Sequence, residues 1–522
     1  MINIGKKCLA ALLAASMVFG VTGCGKQKKA KKPYVQSTAE VKNGTAKAEG
    51  KGKQQSEVPL IIGCGRLDKN FNPFLAQAAS DEQVMNLTQT KLFDTDRAGR
   101  LVEKGIDGEL REYNDENYTY YGIADIKKAR RTKANYTVYR ITIRDDLLFS
   151  DGQPITIDDV IFSLYAFCDN DYDGNVQLKS SNIRGLLNYQ ANNAQAESYT
   201  DKQVKKYIRK KPAALQKWMQ KHSSDESGYE SALERQARYL MAKQAKKKTR
   251  VNSIEGIKRL NDYELRIYTT GYDSRFEEKL QIPICPLHYY GDTTKYSYNA
   301  NKFGFKRGDL SAIRANKSSP VGAGAYRFVK YDSGIAYFMA NELYYQGCPK
   351  ITYVQLKDLT KLFKDEDLTG AKLAEEMKGQ TVDVASLALT QSDLEAIGEI
   401  NGNGKMSGNE INTCQSANAS YAYWGLNPYR VCINNEPFSE QSAALRHAIA
   451  MVVSACRGVQ METEGAKLTS VNAQAAKDSW LSPEQPNEDK LCYAETPDGK
   501  EQIYKTDDAV DQKREEAQQT AL

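Results

Sequence analysis

A chain of 522 residues exceeds one ordinary domain and leads to an expectation of two or three. With 26% charged residues and a mean hydropathy of −0.62, it has no apolar run of the roughly twenty residues a membrane-crossing helix needs, which excludes a helical membrane protein. The formal net charge of +6 belongs to the first 57 residues, because nine Lys against three Glu over 25–57, added to Lys6 and Lys7, leave a net −2 on 58–522.

In chain order, Lys6 and Lys7 give a short basic start, Leu9 to Val21 an apolar core, and Val21-Thr22-Gly23-Cys24 a close in small residues. This arrangement resembles a bacterial lipoprotein signal over 1–23. It implies a mature chain beginning at Cys24, diacylated on sulfur and held at the extracytoplasmic face of the cell membrane. Residues 24–57 are polar, small and basic, with almost nothing apolar to bury, and read as a disordered tether. Lysines beside an anionic bilayer add about 1 kcal/mol each to such an anchor. An exported chain has no nucleic acid to meet, so the basic tether is not read as a nucleic-acid site.

Eight cysteines remain after Cys8 and Cys24: Cys64, Cys168, Cys285, Cys348, Cys414, Cys432, Cys456 and Cys492. None forms a Cys-x-x-Cys pair, and they are too sparse for a disulfide framework. Val58–Ile62, ending in Gly63-Cys64-Gly65, reads as a buried first strand. A loop carrying Phe71-Asn72-Pro73-Phe74 leads to a helix from Asp81 to about Lys91. Asn135–Ile143 alternates, which sets Tyr139, Ile141 and Ile143 on one face of a strand. Thr156 with Asp159 three residues on is a helix N-cap signal before Val160, Ile161, Leu164 and Phe167. Tyr263–Tyr268 and Tyr326–Tyr331 read as further strands, and the interleaving of strands with helices gives an α/β fold.

These residues also carry a family resemblance. Ile141-Thr-Ile-Arg-Asp-Asp-Leu-Leu-Phe-Ser-Asp-Gly-Gln-Pro-Ile-Thr-Ile-Asp-Asp-Val160 is similar to the strand, turn and helix signature of the peptide/nickel-type extracellular solute-binding proteins, family 5, of ABC importers. Pro320-Val-Gly-Ala-Gly-Ala-Tyr326, followed by Asn341 and Tyr345, resembles that family's Gly-x-Gly-x-Tyr strand and Asn-x-x-Tyr element, with Ala325 where Pro is usual. Gly379 to Asp383 resembles its G-x-x-D turn, and Arg446-His-Ala-Ile449 its Arg-x-Ala helix.

The resemblance implies a three-lobed, periplasmic-binding-protein-like flytrap of type II. Domain I would take 58–105 and 251–357, domain II 106–250 with a basic helical insertion at 185–250, and domain III 358–522. It implies a lipid-anchored protein that delivers oligopeptides to ABC permease subunits; the residues themselves lead to an expectation of no cofactor and no metal. A peptide-sensing receptor and a structural or adhesive surface lipoprotein are the alternatives. Family members continue beyond the Arg-x-Ala helix, and Asp507 to Leu522 reads as a helix without a stop signal, so the third lobe is expected to be incomplete.

By the same resemblance, Phe71, Asn72, Phe74, Gln89 and Thr90 face the cleft from one side, while Trp424 and Asn427, in the stretch Tyr423–Asn427, face it from the other. From the residues alone, core packing for the aromatics and turn chemistry for Asn72 are equally open. Enzyme motifs are missing: there is no Gly-x-Ser-x-Gly, no His-Glu-x-x-His and no phosphate-binding glycine loop, and the only histidines are His222, His288 and His447. That scarcity also argues against nickel, for which imidazole is a favoured ligand. Asp169-Asn-Asp171-Tyr-Asp173-Gly174 and Glu399-Ile-Asn401-Gly-Asn403-Gly404 imitate calcium loops. The first has Ser180 where a bidentate Glu belongs and the second starts on Glu, so both read as polar turns. Residues 201–250 hold fifteen Lys and Arg against five acids, with apolar residues spaced for amphipathic helices, and read as a solvated helical hairpin.

Overall fold

The computed structural model describes residues 58–455 apart from 114–115, 223–227, 317, 364–368, 387–390 and 414–424, together with the paired strands Glu462–Thr463 and Ala466–Lys467. The leader, Cys24 and the tether, Tyr423 and Trp424, Cys414, Cys456 and Cys492, and the helix expected over 507–522 lie outside the described residues. No helix among the described residues is long and apolar enough to cross a membrane.

The fold is mixed α/β. Strands β1 (Leu60–Cys64), β2 (Glu109–Tyr113), β3 (Glu116–Tyr120), β4 (Ala124–Arg131), β5 (Tyr136–Ile143), β6 (Ile257–Asn261), β7 (Glu264–Thr270), β8 (Tyr326–Asp332), β9 (Ile335–Ala340), β10 (Tyr353–Asp358) and β11 (Val384–Ala385) supply two main sheets and a hairpin. Helices α1 (Ala79–Thr88), α2 (Ile157–Phe167), α3 (Leu186–Ala191), α4 (Asp201–Arg209), α5 (Ala213–Lys221), α6 (Tyr229–Gln244), α7 (Gly370–Lys378), α8 (Gln391–Ile400) and α9 (Glu440–Ala455) fill the intervals.

The first sheet runs β4-β5-β7-β6 and is antiparallel throughout. Its inner face carries Tyr139, Ile141, Ile143, Leu265 and Ile267, all buried, as the alternation in β5 requires. Against it lies α2, largely apolar beyond the two acids of its first turn and buried in ten of its eleven residues, as befits an enclosed helix. Its start is the expected one: the Thr156 hydroxyl accepts from the Asp158 amide and the Asp159 carboxylate accepts from the Thr156 amide at 3.0 Å. Strands from either side of residue 250, where a lobe boundary was expected, share this sheet.

The second sheet runs β8-β9-β10-β1-β11, with β1 parallel to both neighbours. A smaller core of Phe71, Val84, Met85, Phe338, Val354 and Leu356 packs against it with α1. The G-x-x-D turn finds its purpose at the edge. The Asp383 amide donates to Ile61 O at 2.8 Å while the Ile61 amide donates to Asp383 Oδ2 at 2.7 Å, which locks β11 onto β1.

Residues 201–244 form three helices rather than a two-helix hairpin. Lys210-Lys211-Pro212 breaks the chain, with Lys211 at φ 43° and Pro212 at the start of α5, where its missing N–H costs nothing. Leu215, Ala237 and Ala242 are buried, and Arg235 on α6 docks the insertion by donating to Lys179 O and Gln190 Oε1.

Candidate functional site

The Phe71–Phe74 loop is a staple between the two cores. Phe71 enters the smaller core, 5.6 Å from the Phe328 ring and 5.8 Å from Tyr331. Three residues on, Phe74 enters the larger one among Phe162, Phe167 and Tyr290 at 5.9, 4.9 and 5.7 Å. Asn72 fixes the turn between them. Its Oδ1 accepts from the Phe74 amide at 2.9 Å, and its Nδ2 donates to Ile313 O at 2.6 Å and Asn316 O at 3.1 Å. All three side chains point inward, 0 to 2% exposed, so in this structure they do the work of packing and turn formation.

Gln89 and Thr90 follow α1 at the same junction. Thr90 Oγ1 donates to Ala323 O at 2.7 Å, and the Gln89 amide nitrogen donates to Val321 O at 3.3 Å and Thr88 Oγ1 at 3.2 Å. Gln89 Oε1 is buried and accepts from nothing among the described residues. The loop they hold, 320–325, is the Gly-x-Gly-x-Tyr motif, and its glycines have a steric cause. A Cβ on Gly322 would stand 2.4 Å from Thr88 O, and one on Gly324 2.4 Å from Leu87 O, where backbone cannot retreat. The Gly324 amide donates to Thr88 O at 2.9 Å, Asn341 Nδ2 donates to Gly324 O at 2.8 Å, and the Ser150 amide donates to Gly322 O at 2.9 Å. Three of the sequence motifs therefore meet at one place. Asn341 was legible only as part of its motif; its role as the clamp on Gly324 comes from the fold.

Two buried carboxylates sit in the first turns of α1 and α2. Asp81, in the first turn of α1, accepts from the Asp68 and Asn70 amides, each at 3.1 Å. Burial pushes its pKa up while those two N–H groups pull it down. Asp159 is likewise pushed up by burial, and its Oδ1 accepts from the Leu287 amide at 3.0 Å.

Asn427 lies elsewhere. Its Oδ1 accepts from the Tyr429 amide at 2.9 Å and its carbonyl from the Val431 amide at 2.8 Å, in a turn tied to α9 by Arg446 donating to Val431 O. Its recorded bonds are local, and Trp424 beside it is outside the described residues.

The calcium-like signals resolve into structure. Asp169 accepts twice from the Gly308 amide, and Asp171 accepts from the Leu310 amide and from Arg314, which also reaches Asp173 at 2.9 Å. The three carboxylates thus anchor the 306–315 segment. Asn401 and Asn403 bond backbone groups of their own turn. No group of His, Cys, Asp and Glu among the described residues is arranged to hold a metal. His222 faces Trp218 O at 2.8 Å and His288 faces Asp151 Oδ2 at 2.7 Å, so neither addresses a Ser or Cys. Cys64, Cys168 and Cys285 are buried thiols, each with its pKa pushed up chiefly by burial, and such thiols are unreactive.

Among solved structures, the chain is similar to the oligopeptide-binding protein AppA of Bacillus subtilis in complex with a nonapeptide, at 14% identity and a TM-score of 0.49, over 89% of this chain and 65% of that one. It is similar to NikZ of Campylobacter jejuni in complex with Ni(L-His), at 18% identity and a TM-score of 0.36, over 77% and 55%. Lactococcal OppA, complexed with an endogenous peptide, matches at 13% identity and a TM-score of 0.46, over 88% and 66%. The chain thus spans 65% and 55% of the length of the first two. No curated protein sequence matches it. The family model for "Bacterial extracellular solute-binding proteins, family 5 Middle" matches residues 123–454, well over half of the chain and inclusive of the strand-turn-helix signature, the glycine loop, the G-x-x-D turn and the Arg-x-Ala helix. The chain belongs to the bacterial extracellular solute-binding proteins of family 5.

Proposed function

We propose that this protein is the substrate-binding component of an ABC importer, anchored outside the membrane through Cys24, and that its ligand is an oligopeptide. The observation that carries the reading is the family match over 123–454, together with four motifs in family order. The junction where Gln89, Thr90 and the 320–325 loop meet lies between two separately packed cores, and closure about such a boundary needs only a few residues to absorb the rotation. In this reading Gln89 Oε1, already dry and unpartnered among the described residues, accepts from a ligand N–H. Phe71, Asn72 and Phe74 support that edge from behind. Backbone pairing with a peptide gives affinity common to every sequence, while bridging waters accommodate the side chains.

Mass spectrometry of small molecules that co-purify with the full chain, joined to thermal melting with a peptide pool, tests the ligand. A ligand at 100 times its Kd stabilises the folded state by about 2.7 kcal/mol, so a binding peptide raises the Tm measurably. Stabilisation by nickel or calcium ions with none from peptides refutes the assignment. For the anchor, Cys24→Ser is expected to shift the protein from the membrane fraction to the medium or to leave it as uncut precursor, since only the thiol takes the acyl chain; unchanged membrane retention refutes it.

A further inference from the structure

The outer face of the β4-β5-β7-β6 sheet carries a row of four cations, one from each strand. Lys127 stands directly opposite Arg140, Arg140 opposite Arg266, and Arg266 opposite Lys258. Residues directly opposite share a face, and like charges so placed destabilise a sheet. With strands spaced 4.7–4.9 Å apart, the row is about 14 Å long. Lys127, Arg140 and Lys258 are exposed and Arg266 is half-buried. Only Arg140 has a carboxylate partner, Glu264 in the neighbouring row; Lys127, Lys258 and Arg266 form no ion pair among the described residues. Lys127, Arg140 and Arg266 line a concavity of about 380 Å³, walled by Tyr136 and Tyr268 with their rings 6.1 Å apart.

We infer that this row is a binding strip for a linear, phosphate-bearing polyanion. Folding alone favours opposite charges across the strands, yet all four residues of this row are cationic; the adjacent row carries the acids Asp125 and Glu264, of which only Glu264 pairs with a cation of the row, Arg140. Charge complementarity calls for an anion, and two guanidiniums suit the forked geometry of phosphate oxygens. The shape selects a chain over a membrane. A planar headgroup surface meets only the rim of a concavity, whereas a chain lies along its floor past Lys127, Arg140 and Arg266 and meets Lys258 beyond it. The insertion over 201–250 is more basic in sum but offers no such row among its described residues: Arg235 is spent on carbonyls and Arg238 on Asp201. The strip lies apart from the junction at Gln89 and does not depend on what binds there.

The test is fluorescence anisotropy of an end-labelled linear polyphosphate titrated with the full chain. The expected result is saturable binding that weakens about fifty-fold between roughly 50 and 200 mM salt, the counterion-release slope for about four neutralised phosphates. Lys127→Gln/Lys258→Gln/Arg266→Gln is expected to lose roughly ten-fold or more in affinity, with a urea midpoint equal to or above that of the wild type because repulsion is relieved. Lys127→Arg/Lys258→Arg, which keeps the charge, binds as the wild type does, and so does the insertion control Lys205→Gln/Lys206→Gln/Lys217→Gln. Full binding by the triple Gln variant, or an equal loss in the insertion control, overturns the proposal. So does a row that binds anionic phosphatidylglycerol vesicles in preference to polyphosphate, since that would make the occupant a membrane.

Discussion

The two main sheets are built on opposite plans. The four-stranded sheet is antiparallel, one face on α2 and the other in water, and its two central strands, β5 and β7, announce themselves by alternation. The five-stranded sheet joins β1, near the start of the described chain, to β10 some 290 residues later and to β11 beyond that. Parallel pairing needs a long crossover, and here the crossover is most of the protein. The difference teaches that the larger core is built from a contiguous stretch, 74–323, while the smaller sheet joins strands that flank that stretch on both sides. The Phe71–Phe74 staple and the Asn341 clamp then tie the two together.

The largest effect that would sharpen this comparison is expected from Phe162→Ala. Phe162 is fully buried on α2 against Phe74 and Phe305, and its loss costs about 3–5 kcal/mol. If the two bodies unfold separately, urea unfolding followed by two probes shows only the larger body's transition moving; equal movement of both would make them one cooperative unit and break the comparison.

The smaller body has a chemical handle in Cys64. Burial first, then the Asp358 and Asp81 carboxylates, push its thiol from an ordinary 9.0 up to about 12. The folded state holds this proton more tightly than the unfolded state does. The stabilisation is therefore complete below pH 9.0 and is lost as pH rises toward about 12. At a pH of about 10.5 the expected loss is on the order of 2 kcal/mol, absent from Cys64→Ala, and visible as a diverging pair of urea midpoints. Parallel decline of the two proteins would show that another group governs alkaline stability.

The smallest effect belongs to the larger body again. Thr156→Ala removes the hydroxyl that caps α2 and is expected to cost about 1 kcal/mol by equilibrium denaturation, with the Asp159 to Leu287 bond left in place. A loss as large as that of Phe162→Ala would mean that the cap also carries tertiary structure.

What was legible in the sequence is what short-range chemistry encodes. Strand β5 and its buried face, the capping box at Thr156, and the strands at 264–270 and 326–332 all declare themselves within a few residues. Helix α1 begins and ends two to three residues before its expected bounds, because Gln89 turns extended to meet Val321. The site was legible only as motifs. Nothing in Phe71-Asn-Pro-Phe74 says that its two rings enter different cores, and nothing in Asp169-x-Asp171-x-Asp173 says that Arg314, some 140 residues on, takes up the acids that a cation would otherwise need.

By itself, then, the sequence determined the α/β class, the family motifs and the apolar alternation that sorts core from surface. The tertiary structure alone decided which distant segments meet. It set β1 between β10 and β11, put Gly322 and Gly324 against the end of α1, and stacked Lys127, Arg140, Arg266 and Lys258 in one row. The physical reason is that a pattern of period two or 3.6 fixes the face a residue takes, whereas its partner across a sheet is set by register and chain crossing, which no local pattern encodes.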